Sequence, residues 1–138
     1  MAKDFFHKAV REVLLNDGWV ITHDPYFVKS LEADYEVDLG AEKIIAAERN
    51  NIRIAVEVKS FLKPSFAHEF HGVLGQYLNY LALMKLQEPD RILYLAVTKE
   101  IFDNNFSAPS IDFVVKTYGL KLLIFNPLNS QIEQWLEN

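Results

Sequence analysis

The sequence predicts one α/β domain, a mixed β-sheet flanked by helices in the order α-β-β-β-α-β-α-β. Three observations predict it. Residues 4–17 place Phe5, Ala9, Val13 and Leu14 at helical spacing. Two segments, 35–40 and 52–61, alternate apolar and polar residues with the period of a strand. Residues 91–97, Arg-Ile-Leu-Tyr-Leu-Ala-Val, are almost continuously apolar and β-rich, as in a strand covered on both faces.

Each element follows from its local chemistry. Asp4 can cap the first helix, and Asp17-Gly18 ends it. Residues 19–22 read as a short strand stopped by Asp24-Pro25, and residues 26–33 as loop. In the next strand Tyr35, Val37 and Leu39 share one face while Glu36, Asp38 and Gly40 share the other. Strand character continues over 44–48, and Asn50-Asn51 marks a hairpin turn. On the return strand Ile54, Val56 and Val58 share a face, and Ala55, Glu57 and Lys59 share the opposite one. Pro64 and Ser65 precede a long helix over 66–86, apolar on most sides. Glu88-Pro89-Asp90 ends it. A helix over 110–118 closes at Gly119. A strand over 120–125, the turn 126–130 and a weak last element over 131–136, strand or helix, complete the chain. No repeat, low-complexity run or linker interrupts it, so residues 1–138 form one domain.

Composition narrows the function. The chain has no cysteine, which excludes a disulfide framework, a thiolate metal site and a cysteine nucleophile. That usage fits a reducing cytoplasm. No apolar segment follows the charged N-terminus, so no targeting peptide is expected. The most apolar stretch, residues 73–86, is broken by Gln76, Asn79 and Lys85 and is too short to span a bilayer. A net charge of −5 argues against an extensive DNA-binding surface. It leaves room for an acidic site that binds a divalent cation and touches phosphate locally.

The residues that suggest chemistry are Asp38 and the triplet Glu57-Val58-Lys59. Glu57 and Lys59 project from one face of a strand, and the hairpin can bring Asp38 beside them. Two converging carboxylates can hold a hard cation, with Mg²⁺ (or Mn²⁺) suited because it keeps waters and accepts phosphate oxygens. Such an ion lowers the pKa of a water, and a neighbouring ammonium orients that water or neutralises developing charge. Glu-x-Lys on a strand is common and often only a solvated face. Here the long helix would cover it, and buried charge needs a reason. Gln76 and Tyr80, four apart on that helix, can face the same site. Taken alone, that pair would be ordinary helix-edge residues.

Other candidates have plainer readings. His68 and His71 are three apart but lack a third ligand, so a helix surface is favoured. Trp19 and Trp135 read as core or interface. Arg49, Arg53 and Lys63 flank the proposed site as solvated charges able to touch phosphate. Glu48 reads as a solvated hairpin end.

The pattern Asp38…Glu57-x-Lys59 followed by Gln76-x-x-x-Tyr80 resembles the PD-(D/E)xK nuclease superfamily, including its RecB-like and Holliday-junction-resolvase-like branches. Val37 stands where the superfamily name has proline. The strings Asp17-Gly18-Trp19, Thr22-His23-Asp24-Pro25, Val37-Asp38-Leu39-Gly40-Ala41-Glu42-Lys43, Ala55-Val56-Glu57-Val58-Lys59-Ser60-Phe61, Gly75-Gln76-Tyr77 and Phe125-Asn126-Pro127 resemble the XisH family along essentially the whole chain. That resemblance implies a restriction-endonuclease-like PD-(D/E)xK core. It also implies a role as a cyanobacterial excision controlling factor, in the developmental removal of a DNA element that interrupts a nitrogen-fixation gene. DNA, a site-specific recombinase and a small XisI-like protein are the partners it implies. On this reading Asp38 and Glu57 bind metal, Lys59 acts on water or phosphate, and Gln76 and Tyr80 support them. In related nucleases a glutamate of the first helix can join the metal site, which here would be Glu12. A homodimer would suit cutting both strands of a duplex. The alternative is a catalytically inactive accessory protein that binds XisI-like or recombinase partners.

Overall fold

The structure is a computed structural model that describes residues 2–32 and 43–137. The elements run α1 (Ala2–Asn16), β1 (Val20–His23), β2 (Ile44–Arg49), β3 (Ile52–Val58), α2 (Phe66–Gln87), β4 (Ile92–Thr98), α3 (Lys99–Asn105), α4 (Pro109–Thr117), β5 (Lys121–Asn126) and β6 (Gln131–Glu137). All six strands form one sheet in sequential order, β1 to β6. The β1–β2, β2–β3 and β5–β6 pairs are antiparallel, whereas β3–β4 and β4–β5 are parallel. The parallel pairs are the ones joined through helices, as parallel neighbours require. The expected mixed sheet flanked by helices is therefore present. The predicted strand over 35–40, including Asp38, lies outside the described residues.

The period of β3 divides the molecule into two cores. Ala55 packs with Ile44, Leu93, Leu95 and Leu122 beneath Phe70, Val73, Tyr77, Tyr80 and Met84 of α2. The intervening Ile54, Val56 and Val58 pack with Ile45, Tyr94 and Leu123 against Val10, Val13 and Leu14 of α1. Both faces of the central strands are thus removed from water, which is why β4 lacks alternation. Trp19 belongs to the α1-side core, its ring centroid 5.8 Å from that of Trp135.

The hairpin forms where the two asparagines predict it. Asn50 and Asn51 have φ of 52° and 67°, and Arg49 pairs with Ile52 across the turn. Two successive left-handed residues match the twist of the flanking strands, and asparagine tolerates that region better than most residues. The Ser65 hydroxyl caps α2 by accepting the His68 N–H at 3.2 Å.

One element departs from expectation and one that the sequence left open is resolved. Helix α3 was not predicted, because none of its residues is buried and no apolar stripe marks it. Local bonds support it instead: Thr98 caps it through the Ile101 N–H at 3.2 Å, and Lys99 pairs with Asp103 at 3.0 Å. The ambiguous final segment is an edge strand, largely solvated along its length, so it lacks a clear period. The third strand also stops at Val58 rather than 61, although the Lys59 N–H still reaches the Ala96 carbonyl at 3.4 Å. No helix among the described residues is long and apolar enough to cross a membrane.

Candidate functional site

The site grows from the carboxyl end of β3. Glu57 follows Ala55 on the α2 side of the sheet, between Ile44 of β2 and Leu95 of β4. Its exposure is 0%. A carboxylate in that position is costly without a compensating role or partner. Its charge is felt by Tyr77 of α2, whose phenol is pushed up to about 12. Burial is the main cause, the Lys121 N–H opposes it, and Glu57 adds to it. Tyr77 donates to the Leu93 carbonyl at 2.8 Å and accepts from the Lys121 N–H at 3.3 Å.

Two residues on, Lys59 emerges on the same side with its side chain 12% exposed. The chain then turns sharply at Phe61, which is buried and has φ of 52°. A left-handed phenylalanine costs on the order of 1–2 kcal/mol. Ring contacts with Phe66 at 5.0 Å and Phe106 at 6.3 Å hold it there. This turn carries the backbone back to the start of α2. It thereby places Glu69, in the helix's first turn, opposite Lys59.

Glu69 is the residue that sequence reasoning missed. Its side chain is 6% exposed, one carboxylate oxygen lies 4.0 Å from Lys59 Nζ, and the other accepts the Lys63 N–H at 3.0 Å. Its only signal in the sequence is an acid shortly after a serine cap, which ordinarily complements the helix dipole. Lys59, Lys63, His68, Glu69, Val73 and Gln76 line an open cavity of about 130 Å³.

The other predicted residues fall as follows. Gln76 is half-buried and reaches the cavity, as helical spacing from Glu69 would place it. Tyr80 is buried one turn further along, within the core beneath α2. Glu12 is exposed on α1, in the layer across the sheet, and accepts a hydrogen bond from Ser130 Oγ at 3.3 Å. The structure therefore does not bring Glu12 to Glu57. Glu48 sits on β2 opposite Arg53, toward the hairpin end. Asp38 lies outside the described residues. Among those described, no three histidine or acidic side chains gather as a metal-binding group.

The flanking cations are engaged elsewhere. Arg49 pairs with Asp17 at 3.1 Å and lies 4.8 Å over the Trp19 ring, and Arg53 pairs with Glu88 at 3.1 Å. Lys63 remains at the cavity. A larger, mainly apolar groove of about 540 Å³ opens where β3, β4 and β5 end, lined by Phe5, Ser60, Leu62, Thr98, Asn126 and Leu128. It lies beside Ser60, adjacent in sequence to Lys59.

These features define an α/β protein with a Glu-x-Lys pair at the end of a sheet strand, its glutamate buried and its lysine half-buried, beside a long helix. The family model described as XisH protein matches residues 1–133, and the chain belongs to the XisH family. Two solved structures are similar over nearly its whole length. One is an XisH family protein from Nostoc punctiforme PCC 73102, 37% identical with a TM-score of 0.88, covering 97% of this chain and 100% of that one. The other is an fdxN element excision controlling factor protein from Anabaena variabilis, 38% identical with a TM-score of 0.88, covering 97% of this chain and 99% of that one. Comparison with curated proteins returns no match.

Proposed function

We propose that this chain is an excision controlling factor that hydrolyses DNA phosphodiester bonds with a divalent metal, through a restriction-endonuclease-like PD-(D/E)xK core. One observation carries the reading. Glu57 of β3 is fully buried, Lys59 one residue past that strand's end is 12% exposed at its side chain and faces Glu69 of α2, and Gln76 of that helix lines the same cavity as Lys59. The description of the Anabaena variabilis relative supports the role in excision.

The donor chemistry fits a hard cation. Glu57 offers carboxylate oxygen, and Asp38 is proposed as the second acidic ligand, a set suited to Mg²⁺ or Mn²⁺. When bound, the ion supplies Lewis-acid polarisation of phosphate and acidifies water. Lys59 donates hydrogen bonds to the attacking water or the phosphate and offsets charge gained there. Gln76 orients its neighbours through its amide, and Tyr80 anchors α2 beneath them. Glu12 has no part in this arrangement.

The test is plasmid nicking in Mg²⁺ or Mn²⁺. Glu57→Ala and Lys59→Ala are each expected to reduce the rate on the order of 100-fold. Cutting that survives both substitutions counts against the proposal.

A second reading is a non-catalytic accessory protein that binds an XisI-like protein or the recombinase. The net charge of −5 and the pairing of Arg49 and Arg53 within the fold favour it. Excision that persists when Glu57 and Lys59 are both replaced, together with co-purification of such a partner, would select it.

A further inference from the structure

We infer that Glu69 is a positioning residue that holds the Lys59 ammonium in the cavity and ties the intervening loop to α2. This inference rests on the nuclease reading for its consequence, but not for its geometry. Glu69 is 6% exposed at its side chain, so its charge has largely left water. Desolvation of that kind is tolerated when a cation and hydrogen-bond donors face the carboxylate. The described neighbours supply both. Lys63 N–H donates to one oxygen at 3.0 Å, and Lys59 Nζ stands 4.0 Å from the other. The α2 N-terminus adds the positive end of a helix dipole within its first turn.

The two contacts do different things. The Lys63 contact fixes the loop that leaves β3 through the left-handed turn at Phe61. The Lys59 contact limits where a long, flexible side chain can put its charge. An unbranched lysine loses much rotamer freedom when held, and a fixed opposite charge makes that loss in advance of the reaction. Glu57 lies on β3, two residues before Lys59. Glu69 is the acidic group that faces Lys59 across the cavity, which Gln76 and His68 also line. The sequence spacing of ten between Lys59 and Glu69 hides this relation, since the turn at Phe61 creates it.

Glu69→Gln separates the two contacts, because its amide oxygen can still accept from Lys63 while the charge is gone. A double-substitution cycle with Lys59→Met, read by denaturant unfolding without metal, tests the pairing directly. Glu69→Gln should lower the folding equilibrium constant about fivefold or more in the wild-type background. It should have no effect, or a favourable one, where Lys59 is already Met. Plasmid nicking tests the consequence. Glu69→Gln should reduce kcat about tenfold or more with KM changed less than about twofold, and Glu69→Asp should recover part of the loss. Additive effects in the cycle overturn the inference, as does wild-type kcat in Glu69→Gln. Wild-type protein that does not cut, with the cycle still non-additive, overturns the nuclease reading and leaves the pairing standing.

Discussion

Glu57→Gln is expected to lose the heat of Mg²⁺ binding in calorimetry and to nick DNA on the order of 100-fold more slowly than wild type. The substitution is nearly isosteric, which matters at a position with 0% exposure. Cavity and overpacking effects of several kcal/mol are thereby avoided, so a change in binding reports charge rather than collapse. An amide oxygen is a poorer ligand for a hard cation than a carboxylate oxygen, and it brings no neutralising charge. The circular dichroism spectrum and the melting transition without metal should remain those of a folded, cooperative domain. Lys59→Met provides the contrast: it leaves the carboxylate in place, so metal binding should persist while cutting is lost. Unchanged binding heat in Glu57→Gln would remove the carboxylate from the metal site and, with it, the basis for the Glu-x-Lys reading.

The parts of this arrangement that were legible in the sequence are those governed by local periodicity. Period two puts Glu57 and Lys59 on one face, and the packing of β3 follows the same period, with Ala55 in one core and Ile54, Val56 and Val58 in the other. Asn50-Asn51 announced its turn because two left-handed positions demand particular residues. The long apolar pattern of α2 survived because that helix is buried by sheet and neighbouring helices. What was hidden depended on tertiary reach. Glu69 meets Lys59 only because Phe61 adopts a conformation that nothing in its residue type favours. Helix α3 has no buried stripe, so its cap and its Lys99–Asp103 pair carried too little signal. Segment 26–33 reads as loop, and its Tyr26 is nonetheless buried and bonded to Glu88 at 2.8 Å across 62 residues.

That last contact belongs to a network whose disruption should give a large loss of stability. Arg91→Met is expected to destabilise the fold by about 2–4 kcal/mol in urea unfolding. The Arg91 side chain is 2% exposed. It donates to the Ile54 carbonyl at 2.9 Å and to Glu88 at 3.1 Å, and stands 5.0 Å from the Tyr26 ring centroid. Removing it takes a donor from a buried carbonyl, at about 1–3 kcal/mol, and the cation–π contact adds about 1 kcal/mol. The penalty for an abandoned charge is smaller, since Glu88 keeps Arg53 and the Tyr26 hydroxyl. Arg53→Met, at a side chain 43% exposed, should cost no more than about 1 kcal/mol. Acid sensitivity separates the charge from the packing. Burial alone would raise the Glu88 carboxyl, but hydrogen bonds from Arg91 and Tyr26 and the charges of Arg91 and Arg53 outweigh it and hold the carboxyl below its usual value of 4.5. A depressed folded value means the stabilisation is complete above pH 4.5 and is lost as pH falls through the folded value. Glu88→Gln should therefore flatten the fall of stability below pH 4.5, and Arg91→Met should flatten it in part. An acid limb identical in all three proteins would show that Glu88 is not held by this network, leaving Arg91 to act through packing and the Ile54 carbonyl alone.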